Sequence, residues 1–105
     1  MAEKTVMLCC SAGMSTSMLV KKMQEAAKKD GLDYEIFACP AAEADTNLEN
    51  KNISCVLLGP QVSYMLADFE KKVEGTGIPV EVIDMAAYGM MDGEKVVQQA
   101  KKLVG

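Results

Sequence analysis

A thiol that ends an apolar run and is followed by Ser11-Ala12-Gly13-Met14-Ser15-Thr16-Ser17 is the stretch of this chain best suited to chemistry. Small residues let the backbone turn tightly, so that successive N–H groups converge on one point. A helix starting there adds the positive end of its dipole. Cys10 stands where a thiolate would be stabilised, because the ordinary thiol pKa of about 8.5 falls beside a helix N-terminus and converging donors. A thiolate is a good nucleophile toward phosphorus. Donors from Ser11 to Ser17 suit the three equatorial oxygens of a phosphoryl group in transfer, a task of positioning and electrostatics. The hydroxyls of Thr16 and Ser17 add hydrogen bonds or cap the helix. The same residues also suit a plain strand-to-helix turn, and spacing alone leaves both readings open.

Other chemistries have less to work with. The chain has no histidine, so an imidazole base, a phosphohistidine or a histidine metal ligand has to come from elsewhere. Cys9, Cys10, Cys39 and Cys55 form no C-x-x-C pair, which disfavours thioredoxin-type redox and zinc-ribbon readings, and no metal site is expected. Cys9, Cys39 and Cys55 lie within apolar, strand-like stretches, where cysteine packs as a small, inert hydrophobe. The net charge of −4 lacks the basic footprint of a nucleic-acid binder. Paired lysines such as Lys21-Lys22 and Lys71-Lys72 read as solvated helix faces. No apolar run approaches the roughly 20 residues of a membrane span, and Met1-Ala2-Glu3-Lys4 opens no secretory h-region. The expectation is a cytoplasmic protein translated as a separate polypeptide, with residues 1–105 forming one domain.

The elements that must position Cys10 follow from hydrophobic pattern. A first strand over Thr5 to Cys9 is continuously apolar, as for a strand covered on both faces. Leu19, Met23, Ala26 and Ala27 give a helix from Ser15 to Lys29 its apolar stripe, closed by Asp30-Gly31. A second strand, Tyr34 to Cys39, carries Glu35 and ends at Pro40. Residues Ala41 to Lys51 read as a short helix or irregular crossover. The third strand, Ile53 to Leu58, is buried in character, and Gly59-Pro60 breaks it and starts a helix. That helix bears Val62, Met65, Leu66, Phe69 and Val73 on one face. A fourth strand, Pro79 to Asp84, contains Glu81. Tyr88-Gly89 reads as a loop, and a last helix runs from Asp92 to Val104.

Alternating strands and helices predict an α/β fold, a three-layer α/β/α arrangement around a four-stranded parallel sheet with right-handed crossovers. The most apolar strands, one and three, go to the centre, and the charge-bearing strands two and four to the edges. The order is therefore 2-1-3-4. The chain then reverses direction between strands one and three, and ligands bind in the crevice beyond the carboxyl ends at such a switch point. Cys10 and the Gly59-Pro60-Gln61 turn face each other there. Gln61 and Tyr64 are candidates for contact with the loop or with a partner. Met14 is read as an interface residue and Met18 as either interface or core. Asp84 and Asp92 read as turn or helix-cap residues, since a carboxylate would repel a phosphoryl group.

Low-molecular-weight tyrosine phosphatases use a C-x5-R-[ST] loop on a fold of this kind. Here Thr16 occupies the arginine position and no arginine lies in the loop. Without a guanidinium fork, bidentate clamping is lost, and handing the group on fits better than delivering it to water. A low-molecular-weight phosphatase or arsenate-reductase-like enzyme is the alternative, and a non-catalytic flavodoxin-like module a third reading.

The run Cys10 to Ser17 resembles the phosphorylation loop of the enzyme IIB component of the bacterial phosphoenolpyruvate-dependent sugar phosphotransferase system, lactose/cellobiose (chitobiose) family. The resemblance continues through Val56-Leu57-Leu58-Gly59-Pro60-Gln61-Val62-Ser63-Tyr64-Met65, Pro79 to Asp84 and Tyr88 to Gly93. The cellobiose/chitobiose branch is the nearer one. The resemblance implies that Cys10 takes a phosphoryl group from a phosphohistidine on enzyme IIA, holds it as phosphocysteine within Ser11 to Ser17, and passes it to a β-linked disaccharide bound by the membrane component IIC. It implies no cofactor and no membrane contact except through IIC at the inner face of the bacterial membrane. Cys9, beside the nucleophile, departs from the family pattern, and strand alternation turns its side chain to the opposite face.

Overall fold

A computed structural model describes the backbone of residues 4–10 and 14–104 and the side chains of residues 4–10 and 16–104. Strand β1 (Lys4–Cys10) lies between β2 (Tyr34–Pro40) and β3 (Cys55–Leu58), with β4 (Val80–Val82) outside β3. All pairings are parallel and the order is β2-β1-β3-β4, as the distribution of charged residues predicts. Val6 to Cys10 and all of β3 are buried, because helices cover both faces of the central strands.

Alternation along β1 divides the core. Val6 and Leu8 pack with Leu19 and Met23 of α1 (Met14–Lys29) and with Val96, Val97 and Ala100 of α5 (Gly93–Val104). Met7 and Cys9 face the other layer, with Ala44 of α2 (Ala44–Asn50) and Phe69 of α3 (Leu66–Lys72). Three layers result, with Cys10 at the carboxyl end of the middle one.

Two expected elements differ. The helix read from Pro60 onward begins as a 3-10 stretch, Pro60–Met65, and becomes α-helical only at Leu66. The Val62 N–H bonds the Gly59 carbonyl at 3.0 Å, an i to i+3 closure that tightens this turn, and Val62 itself leaves helical geometry at φ −117° and ψ 22°. Its apolar stripe still turns inward through Val62, Phe69 and Val73. Tyr88-Gly89, read as a loop, lies in α4 (Met85–Gly89). The cause is Asp84, whose Oδ2 accepts the Ala87 N–H at 3.0 Å and so starts a helix where β4 has ended. The crossover after β2 resolves into a 3-10 turn, Ala41–Glu43, and α2.

Carboxamides bond both edge strands. Gln24 Nε2 of α1 donates to the Ile36 carbonyl of β2 at 2.8 Å. Gln99 of α5 donates to the Val82 carbonyl of β4 at 2.9 Å and accepts the Asp84 N–H at 3.0 Å, and it also bonds Glu81. Lys51 pairs with Glu35 of β2 at 3.0 Å and lies over the Phe37 ring.

Helix α5 packs tightly on α1. Gly93 opens α5 against the α1 backbone, where a Cβ would stand 2.5 Å from the Lys22 carbonyl carbon and 2.7 Å from the Met23 nitrogen. Backbone cannot yield as a side chain does, so Gly93→Ala is expected to cost about 1–3 kcal/mol in urea unfolding. Wild-type stability in that variant would contradict the packing described.

Candidate functional site

β1 delivers Cys10 to the carboxyl edge of the sheet, against the turn that follows β3. The Gly59 N–H, just beyond β3, donates to the Cys9 carbonyl at 2.9 Å, extending the β1–β3 ladder by one bond. A Cβ placed on Gly59 would lie 3.7 Å from Cys10 Cβ and 2.8 Å from Gln61 Oε1. The missing side chain at Gly59 therefore leaves room for the Gln61 carboxamide, and the same glycine lies against Cys10. Gln61 Nε2 in turn donates to the Tyr88 hydroxyl of α4 at 2.8 Å. This bond links the turn after β3 to the helix after β4.

Beyond Cys10 the chain enters the first turn of α1. Thr16 is fully buried, and its Oγ1 is a buried side-chain oxygen with no hydrogen-bond partner among the described residues. Leaving a buried hydroxyl unpaired costs about 1–3 kcal/mol, which invites a ligand oxygen as its partner. α1 carries no acidic residue in its first turn and ends in Lys28 and Lys29, a distribution that leaves the N-terminal dipole uncompensated for an incoming anion.

Of the residues singled out from sequence, Cys10 and Gln61 both adjoin Gly59, and Thr16 lies in the first turn of the helix that follows Cys10. Cys10 is covered, at 1% exposure. Ser17 is exposed, as are Met18 at 60% and Tyr64 at 78%. Ser11, Ala12 and Gly13, and the side chains of Met14 and Ser15, lie outside the described residues. Asp84 and Asp92 are caps: Asp84 holds Ala87, and Asp92 Oδ1 accepts the Lys95 N–H at 3.2 Å. Both carboxylates are thereby committed to helix N-termini. Tyr88, whose role the sequence leaves open, joins the site through Gln61. Its sequence signal is the Asp84 cap, which places Tyr88 in a helix turned toward the same edge.

The remaining thiols belong to the interior. Burial, assisted by Glu81, pushes the Cys55 thiol up to about 12. Cys9 lies on the opposite face from Cys10, as alternation requires, and its Sγ is 3.8 Å from Cys39 Sγ. That contact and burial hold Cys9 well above the ordinary thiol range. The same contact, with help from Asn47, draws Cys39 down to about 7 against its own burial. Among the described residues, no group of three or more His, Cys, Asp or Glu is placed to hold a metal, and no helix is long and apolar enough to cross a membrane.

Comparison with known proteins decides the family. The model of the lactose/cellobiose-specific IIB subunit of the phosphotransferase system matches residues 5–99. The chain belongs to this family. Among its relatives are a galactose-specific EIIB component of Lactococcus lactis subsp. cremoris and a cellobiose-specific EIIB component of Lactococcus lactis subsp. lactis. Each is 49% identical and aligns over 99% of both chains. An oligo-beta-mannoside-specific EIIB component of Bacillus subtilis is 44% identical over 96% of each. In structure, the IIB chain superposes on a cellobiose-specific IIB protein of Borrelia burgdorferi with a TM-score of 0.77 and 35% identity, over 96% of this chain and 91% of that one. A lactose-specific IIB domain of Streptococcus pneumoniae gives a TM-score of 0.86 over 98% and 99% of the two chains. At 15% identity it speaks for the fold alone. As a IIB component, the chain is a phosphotransferase subunit of a sugar-uptake system that works with enzyme IIA and a sugar-specific transporter.

The Gln61–Tyr88 bond is expected to couple the two turns energetically. A double-mutant cycle of Gln61→Leu and Tyr88→Phe in urea unfolding should give an interaction of about 0.5–1.5 kcal/mol. Strict additivity would show that the two side chains act separately.

Proposed function

We propose that Cys10 is the phosphocysteine of this IIB component, and that the observation carrying this reading is the unpartnered Thr16 hydroxyl in the first turn of α1. The thiolate attacks the phosphorus of a phosphohistidine on enzyme IIA. The P–N bond breaks as the S–P bond forms, and the imidazole leaves with the bonding pair. Residues Ser11 to Ser17 hold the equatorial oxygens, Thr16 Oγ1 donates to one of them, and the α1 dipole offsets their charge. In the second step the sugar hydroxyl attacks phosphorus and Cys10 leaves as the thiolate.

Loss to water is restrained by what the site lacks. The chain has no arginine, so it supplies no guanidinium fork to clamp the group for hydrolysis, and Asp84 and Asp92 are held as helix caps. These features support transfer over the phosphatase reading. Met18, Tyr64, Met85 and Met90 are large apolar side chains exposed on the elements around the carboxyl edge, and they suit successive docking of enzyme IIA and IIC. The component then works in the cytoplasm, meeting the membrane only through IIC. We read residues 1–105 as one IIB domain. We read the acceptor as a β-linked disaccharide of the cellobiose type chosen by IIC; relatives named for cellobiose and oligo-beta-mannoside support this reading, while another is named for galactose.

Two variants test the assignment in a reaction containing phosphoenolpyruvate, enzyme I, HPr and enzyme IIA. Cys10→Ser should carry no phosphocysteine by intact mass and peptide mapping, and labelling equal to wild type would overturn the assignment. Thr16→Val should slow phosphorylation at least tenfold, about 1.4 kcal/mol in the transition state, while the fold gains or keeps stability because an unpaired buried hydroxyl is removed. A large loss of stability with unchanged phosphorylation would make Thr16 structural.

A further inference from the structure

Cys9 and Cys39 are register partners on β1 and β2, and both side chains enter the layer formed with α2 and α3. Their sulfurs are 3.8 Å apart. Neighbouring strands are spaced about 4.8 Å apart, which falls inside the Cα separation of about 4.4–6.8 Å that a disulfide accepts. Closing the sulfurs to about 2.05 Å therefore asks for side-chain rotation rather than strand movement. Cys55 packs in the opposite layer, and Cys10 follows Val6 and Leu8 in the alternation, so neither competes for the pair.

We propose that Cys9 and Cys39 form a site of reversible oxidative cross-linking, closed by hydroperoxides and opened by dithiol reductants, one residue before Cys10. Cys39 is the entry point. It lies on an edge strand near the carboxyl end and retains 6% exposure, whereas Cys9 has none. Its thiolate attacks the peroxide O–O bond and becomes a sulfenic acid, the distal oxygen leaving as water or alcohol after taking a proton. Cys9 sulfur then attacks the Cys39 sulfur. The S–S bond forms, the S–O bond breaks, and the Cys9 proton leaves with the hydroxyl as a second water. Two thiols are oxidised by two electrons and one hydroperoxide is reduced. The lowered Cys39 and raised Cys9 thiol pKa values fit this division, attacker first and resolver second. The cross-link leaves the Cys10 thiol chemically intact, because its sulfur takes no part.

The test treats reduced protein with hydrogen peroxide, blocks remaining thiols under denaturing conditions and measures intact mass. Peptide mapping follows in a Cys10→Ser background, since Cys9 and Cys10 share a peptide. The expected result is the loss of two blockable thiols and a linked pair of peptides containing Cys9 and Cys39. Dithiothreitol should reverse the cross-link, Cys55→Ser should retain it, and Cys9→Ala and Cys39→Ala should each abolish it. Overturning results are a disulfide that includes Cys10 or Cys55, a cross-link that survives Cys39→Ala, or no cross-link at peroxide levels that oxidise glutathione in the same buffer.

Discussion

Much of this structure depends on the parallel pairing of β1 with β3 and the bond that carries it past the strand ends, from the Gly59 N–H to the Cys9 carbonyl. Both strands are buried on both faces, so their backbone groups have only neighbouring strands as partners, and a slip by one residue would exchange the two core layers. The register therefore fixes which face Cys10 presents. It also sets Gly59 against Cys10 and leaves room there for the Gln61 carboxamide.

From that pairing the rest of the site is built by turns that cap helices. Asp84, two residues past β4, begins α4, α4 carries Tyr88, and Tyr88 holds Gln61. Gln99 bonds the Asp84 N–H from α5, so the last helix steadies the start of this chain of contacts. Carboxylates that would repel a phosphoryl group are bound to backbone donors. Among the described residues, the buried polar side chain left without a partner is a hydroxyl in the first turn of α1. The contrast is chemical. Negative groups are occupied elsewhere, and a donor is left free.

Strand order is readable in the sequence because Glu35 and Glu81 mark the edges and the first and third strands are uninterrupted apolar runs. The place of Cys10 at the switch point follows from order alone. Helix α4 escapes that reading because Tyr88-Gly89 looks like punctuation, although Asp84 followed by Met85-Ala86-Ala87 is a helix start with good helix formers. The 3-10 opening at Pro60 depends on one i to i+3 bond, below what periodicity resolves. Gln61 with Tyr88 and Cys9 with Cys39 join residues distant in sequence, and strand pairing and turn direction set these contacts rather than local pattern. The unpaired state of Thr16 is a matter of three-dimensional packing that no spacing rule encodes.

The carboxamides of Gln24 and Gln99 have a wider consequence. A four-stranded open sheet has two outer rows of backbone donors and acceptors, each a template on which another chain could add a strand. Gln24 occupies a carbonyl of β2, and Gln99 occupies both a carbonyl and an N–H at the end of β4. Lys51 over Phe37 adds charge beside the first edge. The sheet's outer rows thus present fewer open backbone groups and more charge to a neighbouring strand than a bare edge would.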